Sequence, residues 1–408
     1  MKICLLSYRG NPYCGGQGIY IYYLSRALRN LGHEVHVVSG PPHPEVADGI
    51  KLHPVESLNL YESEGSLIRN LFRVRHPVDF FEFIGVCAGT FPEPLTFSLR
   101  AYRKIRELLP YHKFDIIHDN QCLGYGLLLM KRLKLPVVAT IHHPVPIDRD
   151  TALAQAGTLR EKFKMKRWYS FCGMQGRVAR RIDRVITVSE TSAGAIEHFH
   201  KVPRDNIRVV YNGIDTDLFK RDDDVAKEPN SLLLVNSGEQ AIKGISYLLK
   251  ALYLLRDGSD IKLTIIGNPA PDGQCLKLIK EYELGDMVTF TGRVTMEELV
   301  KYYLASEICV VPSLYEGFGF PAAEAMSCQL PVVTTSGGAL PEVVGKDGDT
   351  GIMVPPADSD ALAAAIKCLL SDDSRRRKMG EAGRKRVERN FTWEQAARKT
   401  VAAYEELL

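Results

Sequence analysis

Residues 315–326 read YEGFGFPAAEAM. Two carboxylates, Glu316 and Glu324, stand eight positions apart, with Gly317, Phe318, Gly319, Phe320 and Pro321 between them. An ionised carboxylate accepts hydroxyl hydrogen bonds on both oxygens. Gly317 and Gly319 allow a ligand to approach the backbone closely. Pro321 suits the first position of a helix, where its missing N–H would be unpaired anyway, and Ala322, Ala323, Glu324, Ala325 and Met326 are good helix formers. The spacing therefore predicts a loop that runs into a helix, with the amides of Phe318–Ala323 at the helix N-terminus. Such amides favour anions and oxygen-rich groups. Hydroxyl acceptors on either side of a donor-rich loop suit a nucleotide sugar, which carries vicinal hydroxyls on its ribose and hexose and a diphosphate between them.

The elements that must position this stretch follow from the hydrophobic pattern. KICLLSY is a short apolar run, then comes the glycine-rich CGGQG (14–18), then IYIYYLSRALRNLG with helical periodicity, then EVHVVSG (34–40). This is the strand, loop, helix, strand order of a Rossmann-type unit. FDIIHDN (114–120), PVVATIHH (136–143), DRVITVS (183–189) and IRVVYNG (207–213) read as further strands. A second series opens with SLLLVNSG (231–238), the loop AIKG and the helix ISYLLKALYLLRDG, and continues with IKLTIIG, MVTFTG, EICVVPS, PVVTTSGG and GIMVPP. Apolar strands alternating with helices argue for parallel sheets covered on both faces. The fold class is α/β: two Rossmann-like, doubly wound domains in tandem, expected to face a central cleft, where ligands collect beyond the carboxyl ends of the strands. The polar, turn-rich stretch from Tyr211 to Asn230 marks the junction.

In this order and spacing the chain resembles the retaining glycosyltransferases of family 4, which have the GT-B fold. The resemblance rests on EGFGFPAAEAM followed by LPVVTTSGGALPEVV, on GGQGIYIYYLSRALRNLGHEVHVVSG (15–40), VVATIHH (137–143), DRVITVSE (183–190), VVYNGIDTDLF (209–219), KG at 243–244, and FTWEQAARKTVAAYEEL (391–407). It implies an N-terminal acceptor-side domain (1–212), a C-terminal nucleotide-sugar domain (213–390) and a closing helix (391–408) that crosses back to the first. It implies that Glu316 contacts donor-sugar hydroxyls beside the amides of Phe318, Gly319 and Phe320, that Glu324 binds the ribose, and that Lys243 neutralises the leaving diphosphate. Gly15 and Gly16 would lie against the donor phosphates or the acceptor, and His142 would contact the sugar near the reacting centre, with His143 the weaker match. The family usually carries an arginine six residues before the lysine, whereas Ser237 stands there in this chain. Arg293, at the end of MVTFTGR, is the candidate replacement.

The implied reaction is hexosyl transfer from a UDP- or GDP-sugar to an acceptor hydroxyl with retention, by front-side displacement, in the synthesis of envelope glycans, glycolipids or polysaccharides. The rivals are a GT-B sugar-nucleotide epimerase and a non-catalytic sugar-nucleotide-binding protein, the latter motivated by Ser237. No cofactor and no metal are expected. The DxD triplets DRD (148–150) and DTD (215–217) are present, but the second falls in a turn where aspartates cap loops.

The remaining composition bounds the setting. The chain has 408 residues, 45% hydrophobic and 25% charged, with a net charge of +3. That is globular, and too weakly basic to point to nucleic acid. Nine cysteines without a CxxC read as reduced, buried thiols of a cytoplasmic protein. Segment 156–184 departs from this balance. It carries Arg160, Lys162, Lys164, Lys166, Arg167, Arg177, Arg180, Arg181 and Arg184 against Glu161 and Asp183, with Trp168, Tyr169 and Phe171 among them. This pattern fits peripheral contact with an anionic inner membrane face, and leans the acceptor towards a glycan or lipid-linked species.

Overall fold

The apolar runs become buried parallel strands. In the computed structural model, which describes residues 1–10, 16–60, 72–236, 241–257, 260–271 and 273–408, the chain forms two units. One is Met1–Val210 with Ala396–Leu408, and the other is Tyr211–Gln395.

The first unit holds a seven-stranded sheet built from β1 (Lys2–Ser7), β2 (Glu34–Ser39), β3 (Lys51–Pro54), β4 (Ile116–Asn120), β5 (Val137–Ile141), β6 (Arg184–Thr187) and β7 (Ile207–Val209). Its spatial order is β3-β2-β1-β4-β5-β6-β7, every pair parallel. Ile3 faces Val35 on one side and Ile116 on the other. The helix Gly16–Asn30 packs on β1 and β2, and Glu93–Leu108 packs on β2. Leu6, Val38, Phe97, Ile105, Ile117 and Val137 share one core.

The second unit holds β8 (Ser231–Val235), β9 (Lys262–Ile266), β10 (Val288–Gly292), β11 (Ile308–Val311), β12 (Val332–Thr335) and β13 (Gly351–Val354). The order is β10-β9-β8-β11-β12-β13, again all parallel. Leu232, Leu248, Ile265, Val310, Val333 and Ile366 centre its core, and the helices Ile245–Leu255 and Ser359–Leu370 pack on each other.

In each sheet the winding reverses once, between β1 and β4 and between β8 and β11. Loops leaving the carboxyl ends of strands on either side of such a reversal diverge and leave room for a ligand. Both reversals therefore locate sites within their own unit.

Three sequence expectations shift. The first helix starts at Gly16, ahead of Ile19. β3 and the helices Pro77–Cys87 and Glu93–Leu108 are not among the expected elements: KLHP is half polar and sits at a sheet edge, where a strand needs no apolar run, whereas Glu93–Leu108 buries Phe97, Ala101 and Ile105 at helical spacing. Of the described cysteines, Cys87 and Cys368 are exposed, not buried, because both lie on solvent faces of helices.

One close approach fixes the second unit's reversal. Gly244 has φ +68°, and a Cβ there would fall 1.9 Å from the Pro312 carbonyl oxygen. Gly244→Ala should destabilise this unit by about 2 kcal/mol or more, since both the backbone region and the space are denied to alanine. The measurement is a denaturation midpoint, and a loss below about 0.5 kcal/mol would mean that the turn can move away from β11.

Candidate functional site

In the second unit, β8 leads to the short turn Ala241–Lys243, and β11 leads to the loop that carries Glu316. The Leu314 amide donates to the Ile242 carbonyl at 2.7 Å and ties turn and loop together. Lys243 Nζ donates to Glu316 Oε1 at 2.7 Å, and Ser313 Oγ donates to the same oxygen at 2.8 Å. Glu316 is buried, whereas Lys243 keeps 29% of its side chain exposed. The ammonium therefore retains donors for a second anion. The Glu316 carbonyl accepts from the Ala339 amide at 2.9 Å. Gly338, at φ +62°, lies so close that a Cβ would stand 2.2 Å from that carbonyl oxygen. The SGG turn after β12 is thus the backing of the Glu316 loop.

The helix spans Phe320–Ser327 with Gly319 as N-cap at φ +99°. Pro321 occupies the second helical position, one later than expected, because Phe320 already has helical geometry. The amides of Ala322 and Ala323 donate to the Gly319 carbonyl at 3.1 and 3.2 Å. These two, expected to be open to a ligand, are spent on the helix itself. Among the described residues, the amides of Phe318, Gly319 and Phe320 have no protein acceptor. Phe318 is buried against Phe320 and Phe391, which holds this backbone in place.

Glu324 lies within the helix and is 6% exposed. Its Oε2 accepts from the Tyr303 hydroxyl at 2.7 Å. Burial pushes its carboxyl up from 4.5 to about 7, against the opposing effect of the tyrosine bond. Arg293 is exposed, follows the edge strand β10 and makes no ion pair among the described residues. β9 separates β10 from β8, so the structure does not bring Arg293 into contact with the Lys243–Glu316 pair. Gly15, Ser237 and Glu239 lie outside the described residues.

In the first unit a neutral polar chain runs through the sheet reversal. His142 Nε2 bonds Asn120 Oδ1 at 2.7 Å, and Asn120 Nδ2 donates to the Gln17 carbonyl at 3.1 Å. With the amide oriented in this way, His142 carries its proton on Nε2 and offers Nδ1 as an acceptor. Its amide donates to Gln121 Oε1 at 2.7 Å, and the Tyr20 ring meets it edge-on at 4.5 Å. Gly16 is the exposed first residue of the helix that supplies Gln17 and Tyr20. Behind them, the Tyr20 hydroxyl bonds Thr140 Oγ1 at 2.9 Å, Thr140 Oγ1 bonds His118 Nε2 at 2.7 Å, and His118 Nδ1 bonds the Tyr404 hydroxyl. Burial holds both His118 and His142 down at about 3, so both imidazoles are neutral. Next to them, burial raises Asp119 to about 7; its Oδ2 accepts from the Leu123 amide at 2.9 Å.

His143 turns away to Asp148 at 2.8 Å. Asp150 pairs with Arg149, and Asp215 Oδ1 caps the amides of Asp217 and Leu218. Sequence reasoning missed Ser313, Tyr303, Asn120, Tyr20 and Tyr404. None of these carried a local signal; the glycine pair Gly337–Gly338 after an apolar strand did.

Residues 14–218 match the family described as Glycosyltransferase Family 4, and residues 215–386 match Glycosyl transferases group 1. The chain is 41% identical to the MMP alpha-(1->4)-mannosyltransferase of Mycolicibacterium hassiacum, over all of this chain and 98% of that protein. It is 25% identical to a D-inositol 3-phosphate glycosyltransferase of Streptomyces bingchenggensis, over 100% and 90% of the two chains. Among solved structures, sucrose-phosphate synthase from Thermosynechococcus elongatus is similar at TM-score 0.75 and 25% identity, over 100% and 99%. HepE of Anabaena in complex with UDP-glucose is similar at TM-score 0.72 and 17% identity, with both chains fully covered.

The buried Glu324 carries a linkage consequence. Its folded value lies above its unfolded one, so the folded state holds the proton longer, and stability falls as pH rises from about 4.5 to about 7. Glu324→Gln keeps the Tyr303 contact and removes the charge. Its thermal midpoint should exceed that of the parent at pH 8, by the equivalent of on the order of 2 kcal/mol, and the gap should close towards pH 5. Equal midpoints at pH 8 would show that the ionised carboxylate carries no burial penalty.

Proposed function

The chain belongs to glycosyltransferase family 4 and has its GT-B fold of two α/β units, and from that premise we propose that it is a retaining hexosyltransferase that uses a nucleoside diphosphate sugar. The observation that carries this reading is the Lys243–Glu316–Ser313 cluster set beside three unspent amides. It pairs a partly exposed cation with a hydroxyl-accepting carboxylate at the end of the sheet where ligands bind.

In this reading the phosphates of the donor take the free N–H groups of Lys243, and Lys243 stabilises the charge that grows on the diphosphate as its bond to the sugar breaks. Glu316 and the amides of Phe318, Gly319 and Phe320 hold the sugar hydroxyls. The Glu324 oxygen not used by Tyr303 accepts from the ribose. Gly15 and Gly16 let phosphate or acceptor approach the backbone, and His142, neutral with a free Nδ1, accepts from a sugar hydroxyl. The acceptor oxygen bonds to the anomeric carbon on the face the diphosphate leaves, and the leaving phosphate oxygen takes the acceptor proton, so the α configuration is kept. Arg293, apart from the Lys243–Glu316 pair on the edge strand, would serve as the second phosphate cation in place of the arginine absent at Ser237 only by reaching the diphosphate across the end of β9. No metal is required in this scheme. The mannosyltransferase relative makes mannose the first sugar to test, with GDP and UDP as the first bases. The acceptor would be a glycan or lipid-linked hydroxyl.

The test is a thermal-shift screen of GDP-, UDP- and ADP-sugars, followed by transfer to purified glycan fractions. Glu316→Ala should lower turnover by about a hundredfold or more while the protein stays folded. Arg293→Ala should weaken nucleoside diphosphate binding more than nucleoside binding. Parent-level turnover in Glu316→Ala would refute the site. Epimerised donor without transfer would identify an epimerase, and tight binding without turnover a binding protein.

We also assign the basic segment to an anionic membrane face of the cytoplasm. The helix Leu159–Trp168, started by a Thr158–Glu161 capping box, displays exposed Leu159 and Phe163 among Arg160, Lys162, Lys164, Lys166 and Arg167. No helix of the described residues is long and apolar enough to cross a membrane, so attachment would be peripheral. Neutralising Lys162, Lys164, Lys166 and Arg167 should cut co-sedimentation with anionic liposomes, each charge contributing about 1 kcal/mol. Unchanged sedimentation would leave the helix a solvated face.

A further inference from the structure

Along the edge pair β2 and β3, beside the segment that leads into β4, three imidazoles and a carboxylate converge. His36 is fully buried. Its Nε2 lies 3.0 Å from Glu34 Oε1, and its Nδ1 lies 2.9 Å from His53 Nε2. His112, from the segment after the helix Glu93–Leu108, meets the His36 ring at 4.5 Å between centroids; the His36–His53 and His53–His112 separations are 5.1 and 6.1 Å. Phe114 closes the cluster edge-on against His36 at 5.1 Å. Ligand atoms of Glu34, His36 and His112 all lie within 4.8 Å of one another. None of these residues enters the transfer reaction.

We propose that Glu34, His36 and His112 form a binding site for one late first-row divalent cation, with zinc the best fit, and that His53 positions His36 from behind. Tetrahedral zinc has bonds of about 2.0–2.2 Å to nitrogen and oxygen, which places its ligand atoms about 3.3 Å apart. The Glu34–His36 pair is already at that separation, and closing the third arm takes a shift of about 1.5 Å at most. Two imidazoles with a carboxylate select zinc-like ions over magnesium or calcium, which prefer all-oxygen shells. His53 gives the support that metal-bound histidines need. When His36 presents the Nε2 lone pair to the cation, its Nδ1–H donates to His53 Nε2, and His53 carries its own proton on Nδ1. Both imidazoles stay neutral, each with one proton, so only the tautomers change. Water completes the fourth position. The competitor is visible as well: Lys51 Nζ lies 2.8 Å from Glu34 Oε1 and Lys2 Nζ 3.0 Å from Oε2, so the cation must displace Lys51. Bound there, the ion ties β2 to the segment that leads into β4.

The test uses the untagged full chain after chelator treatment. Zinc should raise the thermal midpoint with one ion per chain, magnesium should not, and cobalt should give the intense visible bands of a tetrahedral site. His112→Ala, at a half-exposed position, should abolish both signals. His53→Ala should weaken binding by about 10–100-fold, and Lys51→Met should strengthen it. No zinc shift in either the parent or Lys51→Met, or an undiminished shift in His112→Ala, would overturn the site. The readout is cation binding, so failure here is distinct from failure of the transferase reading.

Discussion

The contact between Lys243 and Glu316 sets what the second unit must be. A buried carboxylate without donors is costly, and a cation with a hydroxyl is the least expensive remedy. To supply both, the turn after β8 must touch the loop after β11, and those strands must be neighbours although far apart in sequence. The order β9-β8-β11-β12 meets that demand. Gly244 lets the turn reach Pro312, and Gly338 lets the next loop press on the Glu316 carbonyl. Removing either approach would leave the carboxylate without its ammonium or its loop without backing.

The first unit solves a similar problem without charge. His118 and His142 are held neutral by burial; both nitrogens of His118 are paired, with Thr140 and Tyr404, and Nε2 of His142 is paired with Asn120, while Tyr20 bonds Thr140. A chain of neutral hydrogen bonds tolerates the dry sheet reversal because each member finds a partner. It also commits His142 to one tautomer, so that a single nitrogen faces any ligand. Tyr404 belongs to the final thirteen residues, Ala396–Leu408, which the unit takes from the far end of the chain.

The two units differed in how far they could be read in advance. Parallel strands in covered sheets are apolar throughout, so the runs at 2–8 and 231–238 were visible without a template. The Glu316 loop was visible because glycine and proline mark backbone shape as well as composition. KLHP at β3 was not, since an edge strand can be half polar. Tyr303 was not, because a tyrosine on a helix gives no sign of which carboxylate it will meet. The amide count was wrong by two, since the helix begins at Phe320 and consumes the Ala322 and Ala323 donors itself.

By itself the sequence determined the strand and helix alternation, the two glycine-marked openings and the carboxylate pair, because each is set by residues within a few positions of one another. Tertiary structure alone decided which oxygen of Glu316 meets Lys243, that Glu324 turns to Tyr303, that Arg293 stays apart on an edge strand, and that Glu34, His36, His53 and His112 share one corner. Those outcomes depend on strand order and burial, which join residues that no local pattern connects.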